Sequence, residues 1–173
     1  SGTVIGAMLF ITGVRNFMGE EKARGYLEKL AKNDIVTIPS ANRVIVDRVM
    51  AGEYALCLDA FLHHPIISAR KGAPVAPLPL DPVLTVVSSV MLPKAPPHPY
   101  SAMLFIDYLL SKDGQARLRD AEYFPARPDV PALPDLDKIV PHKIGRKENF
   151  IDPVKINKEL PKSRAIYQEL FVK

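Results

Sequence analysis

The chain has 173 residues, a net charge of +4 and 24% charged residues, which is ordinary for a globular protein with one good core. Lysine and arginine are scattered and do not alternate with aromatic residues, so the composition argues against nucleic-acid binding. No run of 18 apolar residues exists that would predict a membrane span. The single cysteine, Cys57, excludes an internal disulfide and is interpreted as a structural side chain within an apolar run.

The first half of the chain shows helical apolar spacing interrupted by short apolar runs. The predicted helices are Val4–Val14, Glu20–Lys32, a helix from Ser40 or Ala41 to Ala51-Gly52, and Ile66–Arg70. The predicted strands are Ile35–Ile38 and Tyr54–Leu58. This alternation predicts an α/β fold with a parallel sheet covered by helices on both faces.

The second half begins with an extended segment, Val75–Leu80, and a β-rich run, Val83–Leu92. A helix follows, because apolar residues recur from Ala102 to Leu110 at helical spacing. Ser111 then reads as the N-cap of a second short helix. Beyond Pro125 the chain is predicted to be irregular until a last helix at Pro161–Phe171, since the prolines cluster there.

The region around this helix pair contains several distinctive sequence motifs. The segment before the helix contains Lys94-Ala95 and His98-Pro99. The helix contains Phe105-Ile106-Asp107 and ends with Leu109-Leu110-Ser111, and the next residues are Asp113-Gly114-Gln115. The later stretch reads Tyr123-Phe124-Pro125-Ala126-Arg127-Pro128-Asp129-Val130. Together these motifs resemble the type 2 periplasmic solute-binding proteins of ABC importers, and most closely their iron(III)-type branch.

The resemblance implies the type 2 periplasmic-binding-protein fold, with one nearly complete lobe and part of the other. Residues 1–80 and 124–173 would form the second lobe, and 81–123 a returning segment of the first. The N-terminal part of that first lobe would be absent, so the chain is expected to be a fragment. The same resemblance implies an exported, periplasmic protein whose signal peptide is not in this chain, with a membrane permease as its partner.

Two segments match the helix starts that line the family's cleft, where free backbone N–H groups favour anions. Ser1-Gly2-Thr3 corresponds to a turn that cradles an anion in the iron-binding relatives; the alternatives are an ordinary N-cap or a remnant of an expression tag. Asn42 falls on the family's anion-contacting asparagine position, and Arg43 would add a bidentate contact. The alternative is that Ser40 or Asn42 only caps the helix while Arg43 is solvated.

A third position departs from the family. Where iron-binding members have two adjacent tyrosines, this chain has Phe61 and Leu62, which cannot coordinate a metal, so no metal site of that kind is expected. Asp59 is a candidate for an amine or hydroxyl of a ligand, or a cap of the following turn. Phe61 and His63 are candidate ligand contacts; the alternative for His63 is a loop or capping residue. Adjacent histidines on a helix point about 100° apart, so they do not readily chelate one ion.

No motif for catalysis or for a cofactor is found, so the chain is predicted to bind rather than react. The predicted function is capture of a small, anionic ligand or a metal–anion complex for an ABC import system. The alternative is the ligand-sensing effector domain of a transcription regulator. Self-association of the fragment is a further expectation, because the strand Val83–Leu92 would lack its own sheet.

Overall fold

The computed structural model describes residues 5–172, and within that range the chain is mostly helical. The eight α-helices described are α1 (Ile5–Met18), α2 (Glu20–Ala31), α3 (Asn42–Met50), α4 (His63–Arg70), α5 (Pro99–Leu110), α6 (Lys112–Asp120), α7 (Pro134–Asp137) and α8 (Ile156–Phe171). A 3-10 helix covers Pro141–Ile144, and two strands, β1 (Val83–Thr85) and β2 (Glu148–Phe150), form a parallel pair. The described chain divides into two compact units, one built from residues up to Val87 together with those from Arg146, and the other Ser88–Gly145.

The prediction of an α/β lobe with the periplasmic-binding-protein fold is wrong, since the described residues form mostly helices and a sheet of two strands. Both Ile35–Ile38 and Tyr54–Leu58 are irregular, and β1 covers only the first three residues of the predicted run Val83–Leu92. The apolar side chains of these segments face solvent in part, with Val36 at 60% and Leu56 at 62% exposure. A strand is stable only when a neighbour accepts its backbone hydrogen bonds, and the described chain supplies such a neighbour only for β1.

The first unit has its core where α1, α2 and α8 meet. Ile11, Leu27 and Tyr167, one from each helix, form the buried cluster, at 1%, 0% and 6% exposure. Gly19 separates α1 from α2 with a φ of 77°, a left-handed conformation that glycine adopts without strain. The predicted helices of this unit are present, because their amphipathic stripes are local signals, but α1 continues to Met18, and α4 and α8 begin earlier than predicted.

A buried polar network crosses the same three helices. The hydroxyls of Thr12 and Ser163 lie 2.7 Å apart, and Nη1 of Arg15 donates to Oγ of Ser163 over 2.9 Å. Arg15 also donates to both carboxylate oxygens of Glu20, and Nζ of Lys162 lies 2.9 Å from Oε1 of Glu20. Because the side chain of Arg15 is only 6% exposed, its charge needs this carboxylate partner.

This network predicts an acid-sensitive contribution to stability. The hydrogen bonds from Arg15 and then Lys162 lower the pKa of Glu20 from 4.5 to about 2. A depressed carboxyl pKa stabilises the fold above the ordinary value, and that stabilisation is lost as the pH falls from 4.5 towards 2. We expect Glu20→Gln to be less stable than the wild type at neutral pH and to lose less stability over this acid range, as measured by urea unfolding.

Glu21→Gln is the matched control, since Glu21 lies in the same first turn of α2 and the contacts of Arg15 and Lys162 are with Glu20. Its acid slope should follow the wild type. Equal acid slopes for Glu20→Gln and the wild type would contradict the assignment.

The strand pair packs on α1 through a glycine. Nδ2 of Asn149 in β2 donates to the carbonyl oxygen of Gly13 over 2.8 Å. A Cβ at Gly13 would clash with Cδ1 of Leu84 in β1, so the missing side chain allows the close approach. The sequence predicted irregular backbone at β2, because a three-residue strand carries too short a pattern to detect.

The second unit contains the predicted pair of helices, α5 and α6. Ser111 caps α6 as expected, since its Oγ accepts from the backbone N–H of Gly114 over 3.1 Å. Gln115 is 3% exposed, and it donates to the carbonyl of Leu109 and accepts from the N–H of Ala126. This side chain therefore fixes the segment after α6 against the end of α5, because both the nitrogen and the oxygen of the buried amide are hydrogen-bonded.

Candidate functional site

The beginning of α3 presents two of the predicted ligand residues. Ala41 is the N-cap, with extended backbone and no side-chain cap, so the alternative that Ser40 or Asn42 caps this helix is wrong. Asn42 and Arg43 occupy the first turn, where backbone N–H groups have no acceptor within the helix. Nη2 of Arg43 lies 3.0 Å from Oδ1 of Asp47 in an exposed i,i+4 pair. Such a pair is worth about 0.3–0.5 kcal/mol, so Asp47 holds Arg43 only weakly.

Asn42 and Asp59 meet beside α1 at Gly6. A Cβ at Gly6 would clash with Oδ2 of Asp59 and lie 3.3 Å from Nδ2 of Asn42. The two side chains are therefore neighbours in the space that a larger residue 6 would fill. Oδ1 of Asn42 is buried and has no hydrogen-bond partner within the described part of the chain, which leaves an acceptor available for a donor from outside.

Cys57 supports Asp59 from the other side. Its Sγ donates to Oδ1 of Asp59 over 3.4 Å. Burial raises the pKa of the Cys57 thiol from 9.0 to about 11, so the group stays protonated and remains a donor at neutral pH. Cys57 therefore has a specific structural role, which is to hold one oxygen of the Asp59 carboxylate.

The raised pKa predicts slow alkylation of Cys57. At pH 8 the folded protein should react with iodoacetamide about 100-fold more slowly than the urea-unfolded chain, because the thiolate fraction falls tenfold for each unit of pKa. The folded rate should keep rising as the pH approaches 11. Mass spectrometry of the labelled protein measures both rates, and equal rates at pH 8 would contradict the buried, donor role of the thiol.

An aromatic cluster lies at the beginning of α4. The rings of Phe61 and His63 stack with centroids 5.8 Å apart, and those of His63 and His64 meet edge to face at 4.3 Å. The helix begins at His63, earlier than the predicted Ile66, and Pro65 lies buried in its first turn. Proline is tolerated there because its missing N–H would have no helical acceptor.

His64 connects this cluster to α3. Burial, and then the charge of Arg43, lower the pKa of His64, while Asp47 opposes them. His64 is therefore neutral at pH 7, and its Nδ1 is buried without a hydrogen-bond partner among the described residues. A neutral imidazole can donate or accept depending on its tautomer, so His64 is a second polar group open to a ligand.

A metal centre is not formed by the part of the chain that the structure describes. Across residues 5–172 no group of three or more histidine, cysteine, aspartate or glutamate side chains is placed to hold an ion. Phe61, which occupies the position of a tyrosine ligand in the family resembled, is 43% exposed and stacks on His63. The chemistry of this region is hydrogen bonding and charge pairing.

The structure brings the predicted Asn42 and Asp59 together, and places Arg43 where its charge acts on His64 of the Phe61–His63 cluster. The predicted Ser1, Gly2 and Thr3 lie outside the described residues. Sequence reasoning missed the positioning roles of Gly6, Cys57 and His64. A glycine inside the apolar helix at Val4–Val14 was a signal for Gly6, since helical glycine often marks a close approach.

Comparison with protein-family models, with curated proteins and with solved structures finds no match for this chain. Its resemblance to solute-binding proteins therefore remains a prediction from its motifs. Between residues 5 and 172 no helix combines the length and the apolarity that crossing a bilayer requires.

Proposed function

We propose that this chain captures a small organic anion at the beginning of α3. The observation that carries the proposal is that Asn42 and Asp59 meet beside Gly6 at an uncapped helix start, which also bears Arg43, whose charge acts on His64. The free N–H groups of the first turn and the helix dipole favour a negative group there. The guanidinium of Arg43 would add two parallel donors for one carboxylate.

The same site favours a ligand that also carries a hydroxyl or an amine. Asp59 is an acceptor with one oxygen held by Cys57, and Oδ1 of Asn42 is a buried acceptor without a partner. A simple inorganic anion has no donor for Asp59 or for Oδ1 of Asn42, and the Asp59 carboxylate would repel it. A hydroxy acid or an amino acid would place its carboxylate on Arg43 and its donor on Asp59 or Asn42.

In this proposal the chain captures its ligand without converting it, as the solute-binding component of an ABC import system. That role rests on the motifs from Lys94 to Val130, and it implies a membrane permease as partner and the periplasm as location. A metal–anion complex fits only if its organic part makes the contacts, because the described residues supply no cluster of metal ligands.

Isothermal titration with a panel of carboxylates, hydroxy acids, amino acids, phosphonates and Fe(III)-citrate tests the proposal. We expect the hydroxy or amino acids to bind best, with dissociation constants of about 1 mM, since the contacts come from an open surface. Arg43→Ala should weaken binding about tenfold, as expected for the loss of a charge-assisted hydrogen bond.

Arg48→Ala is the matched control, because it removes the same charge from the last turn of the same helix, where Arg48 lies 3.8 Å from Glu53. It should leave the affinity within about twofold of the wild type, as remote exposed charges are screened. Equal losses of affinity in both variants would show a diffuse charge effect. The absence of binding heat from every compound in the panel would refute capture at this site.

A further inference from the structure

The buried face of α4 carries a hydroxyl that has no hydrogen-bond partner. Ser68 is 3% exposed, and its Oγ lies buried without a donor or acceptor bonded to it within residues 5–172. A hydroxyl inside a helix commonly donates to the carbonyl four residues earlier, as Thr12 does to Met8 in α1 over 2.8 Å. Because native proteins rarely leave a buried polar atom unpaired, Ser68 indicates that a group from outside the described chain binds here.

His64 lies one turn before Ser68 on the same face of α4. Residues four apart on a helix have their Cβ atoms about 5–6 Å apart, and helical side chains lean towards the N-terminus, so Ser68 leans towards His64. Nδ1 of His64 is also buried and has no hydrogen-bond partner in the described chain. An imidazole nitrogen and a hydroxyl at this spacing can bind one oxygen atom between them.

The pair is connected to the candidate site on α3 through His64. The charges of Arg43 and Asp47 act on His64 in opposite directions, so both of these α3 side chains lie near it. Oδ1 of Asn42, in the first turn of α3, is a third buried atom that no described residue hydrogen-bonds. Unpaired polar atoms therefore extend from the beginning of α3 to the second turn of α4.

We propose that His64 and Ser68 form a hydroxyl subsite, and that the ligand of this chain is a polyhydroxy acid. The inference rests on the proposed function, in which Arg43 and the first turn of α3 bind the carboxylate. One hydroxyl of the ligand donates to Asp59 or to Oδ1 of Asn42. A second hydroxyl binds between His64 and Ser68, and it suits this pair because a hydroxyl both donates and accepts. An amino acid with a single ammonium group would leave Ser68 unpaired.

Isothermal titration of the full chain with three six-carbon acids tests the subsite. The acids are hexanoate, 2-hydroxyhexanoate and gluconate, which differ in their hydroxyl groups. The proposed function alone predicts that 2-hydroxyhexanoate binds more tightly than hexanoate. The subsite predicts that gluconate binds about tenfold more tightly than 2-hydroxyhexanoate, as one further buried hydrogen-bonded group provides.

Two variants assign the gluconate preference to the subsite. Ser68→Ala should abolish the preference and leave the affinity for 2-hydroxyhexanoate within about twofold of the wild type, because the site on α3 keeps all its contacts. It should not lower the melting temperature, since the hydroxyl makes no hydrogen bond within the described chain. His64→Phe, which keeps an aromatic ring beside Phe61 and His63, should also abolish the preference.

Ser163→Ala is the matched control, because Ser163 is also a fully buried helical serine and its Oγ is hydrogen-bonded to Thr12 and Arg15. It should lower the melting temperature and keep the preference for gluconate. If only an ordered water occupies the pair on α4, the preference for gluconate is absent or survives Ser68→Ala. Either result would overturn the subsite and leave the site on α3 standing, whereas no binding of either hydroxy acid would refute both.

Discussion

Leu27→Ala should lower the free energy of unfolding of the first unit by about 3 kcal/mol, within the usual range for a buried leucine. Leu27 is fully buried at the centre of the cluster that joins α1, α2 and α8. Replacing its isobutyl side chain by a methyl group loses apolar burial and leaves a cavity against Ile11 and Tyr167, which belong to the other two helices. Urea unfolding followed by circular dichroism measures the change.

The matched control is the same substitution at an exposed position, Leu78→Ala. Because Leu78 is 77% exposed, this change should stay within about 0.5 kcal/mol of the wild type. Hydrogen exchange localises the effect, and the amides of α1, α2 and α8 should lose protection in Leu27→Ala. A loss below about 1 kcal/mol would mean that the three-helix core is packed differently.

Gly114→Ala should destabilise the second unit by about 3 kcal/mol, at the upper end of the cost of overpacking. A Cβ at Gly114 would clash with the carbonyl oxygen of Tyr108 and lie 2.9 Å from Cα of Leu109. Both obstacles are backbone atoms of α5, so no flexible side chain can move aside. The close turn between α5 and α6, including the cap by Ser111, must then open.

Gly25→Ala is the matched control, and it should change the free energy of unfolding in the opposite direction. Gly25 lies inside α2, and a Cβ there would meet nothing within 4 Å. Alanine is the better helix former by about 1 kcal/mol, so this variant should be more stable than the wild type. Unfolding by urea, with hydrogen exchange to separate the two units, decides the result, and a Gly114→Ala chain as stable as the wild type would refute the tight turn.

Helices were predictable because their signals are local. The apolar spacing of Glu20–Lys32 indicates α2 within one residue of its observed end, and Ser111 indicates the start of α6. The last helix was placed too late, since Pro161 was taken as its beginning and lies inside α8. Proline favours a first turn and is tolerated further inside when packing supports the helix, as the burial of Ser163 and Tyr167 does here.

Strands were not predictable in the same way, because a strand depends on a partner distant in the sequence. Ile35–Ile38 and Tyr54–Leu58 have the composition of buried strands and are irregular in the structure. Conversely, Glu148–Phe150 has no alternating pattern and pairs with Val83–Thr85, 65 residues earlier in register. Composition measures how well side chains suit a sheet, and it does not supply the neighbouring strand.

The sequence named two residues, Asn42 and Asp59, that are neighbours in the structure, but it did not name the residues that contact them. Asn42 was named because it matches a position of the family resembled, and Asp59 because it follows a predicted strand that is irregular in the structure. The roles of Gly6 and Cys57 follow only from three-dimensional contacts. Nothing in the sequence indicates that Gly6 lies against Asp59, about 50 positions away, or that Cys57 donates to Asp59, two positions along. The hydrogen bond from Cys57 to Asp59 is visible only once the backbone of that segment is placed.

Mapping backbone amide shifts by NMR during titration with a small hydroxy acid tests the central claim most directly. Capture at the beginning of α3 predicts that the largest shifts fall on residues 42–44, whose N–H groups have no helical acceptor, and on 57–64. The shifts should saturate with one dissociation constant and shrink in Arg43→Ala. Shifts spread evenly over the charged surface, or centred away from α3, would contradict the account.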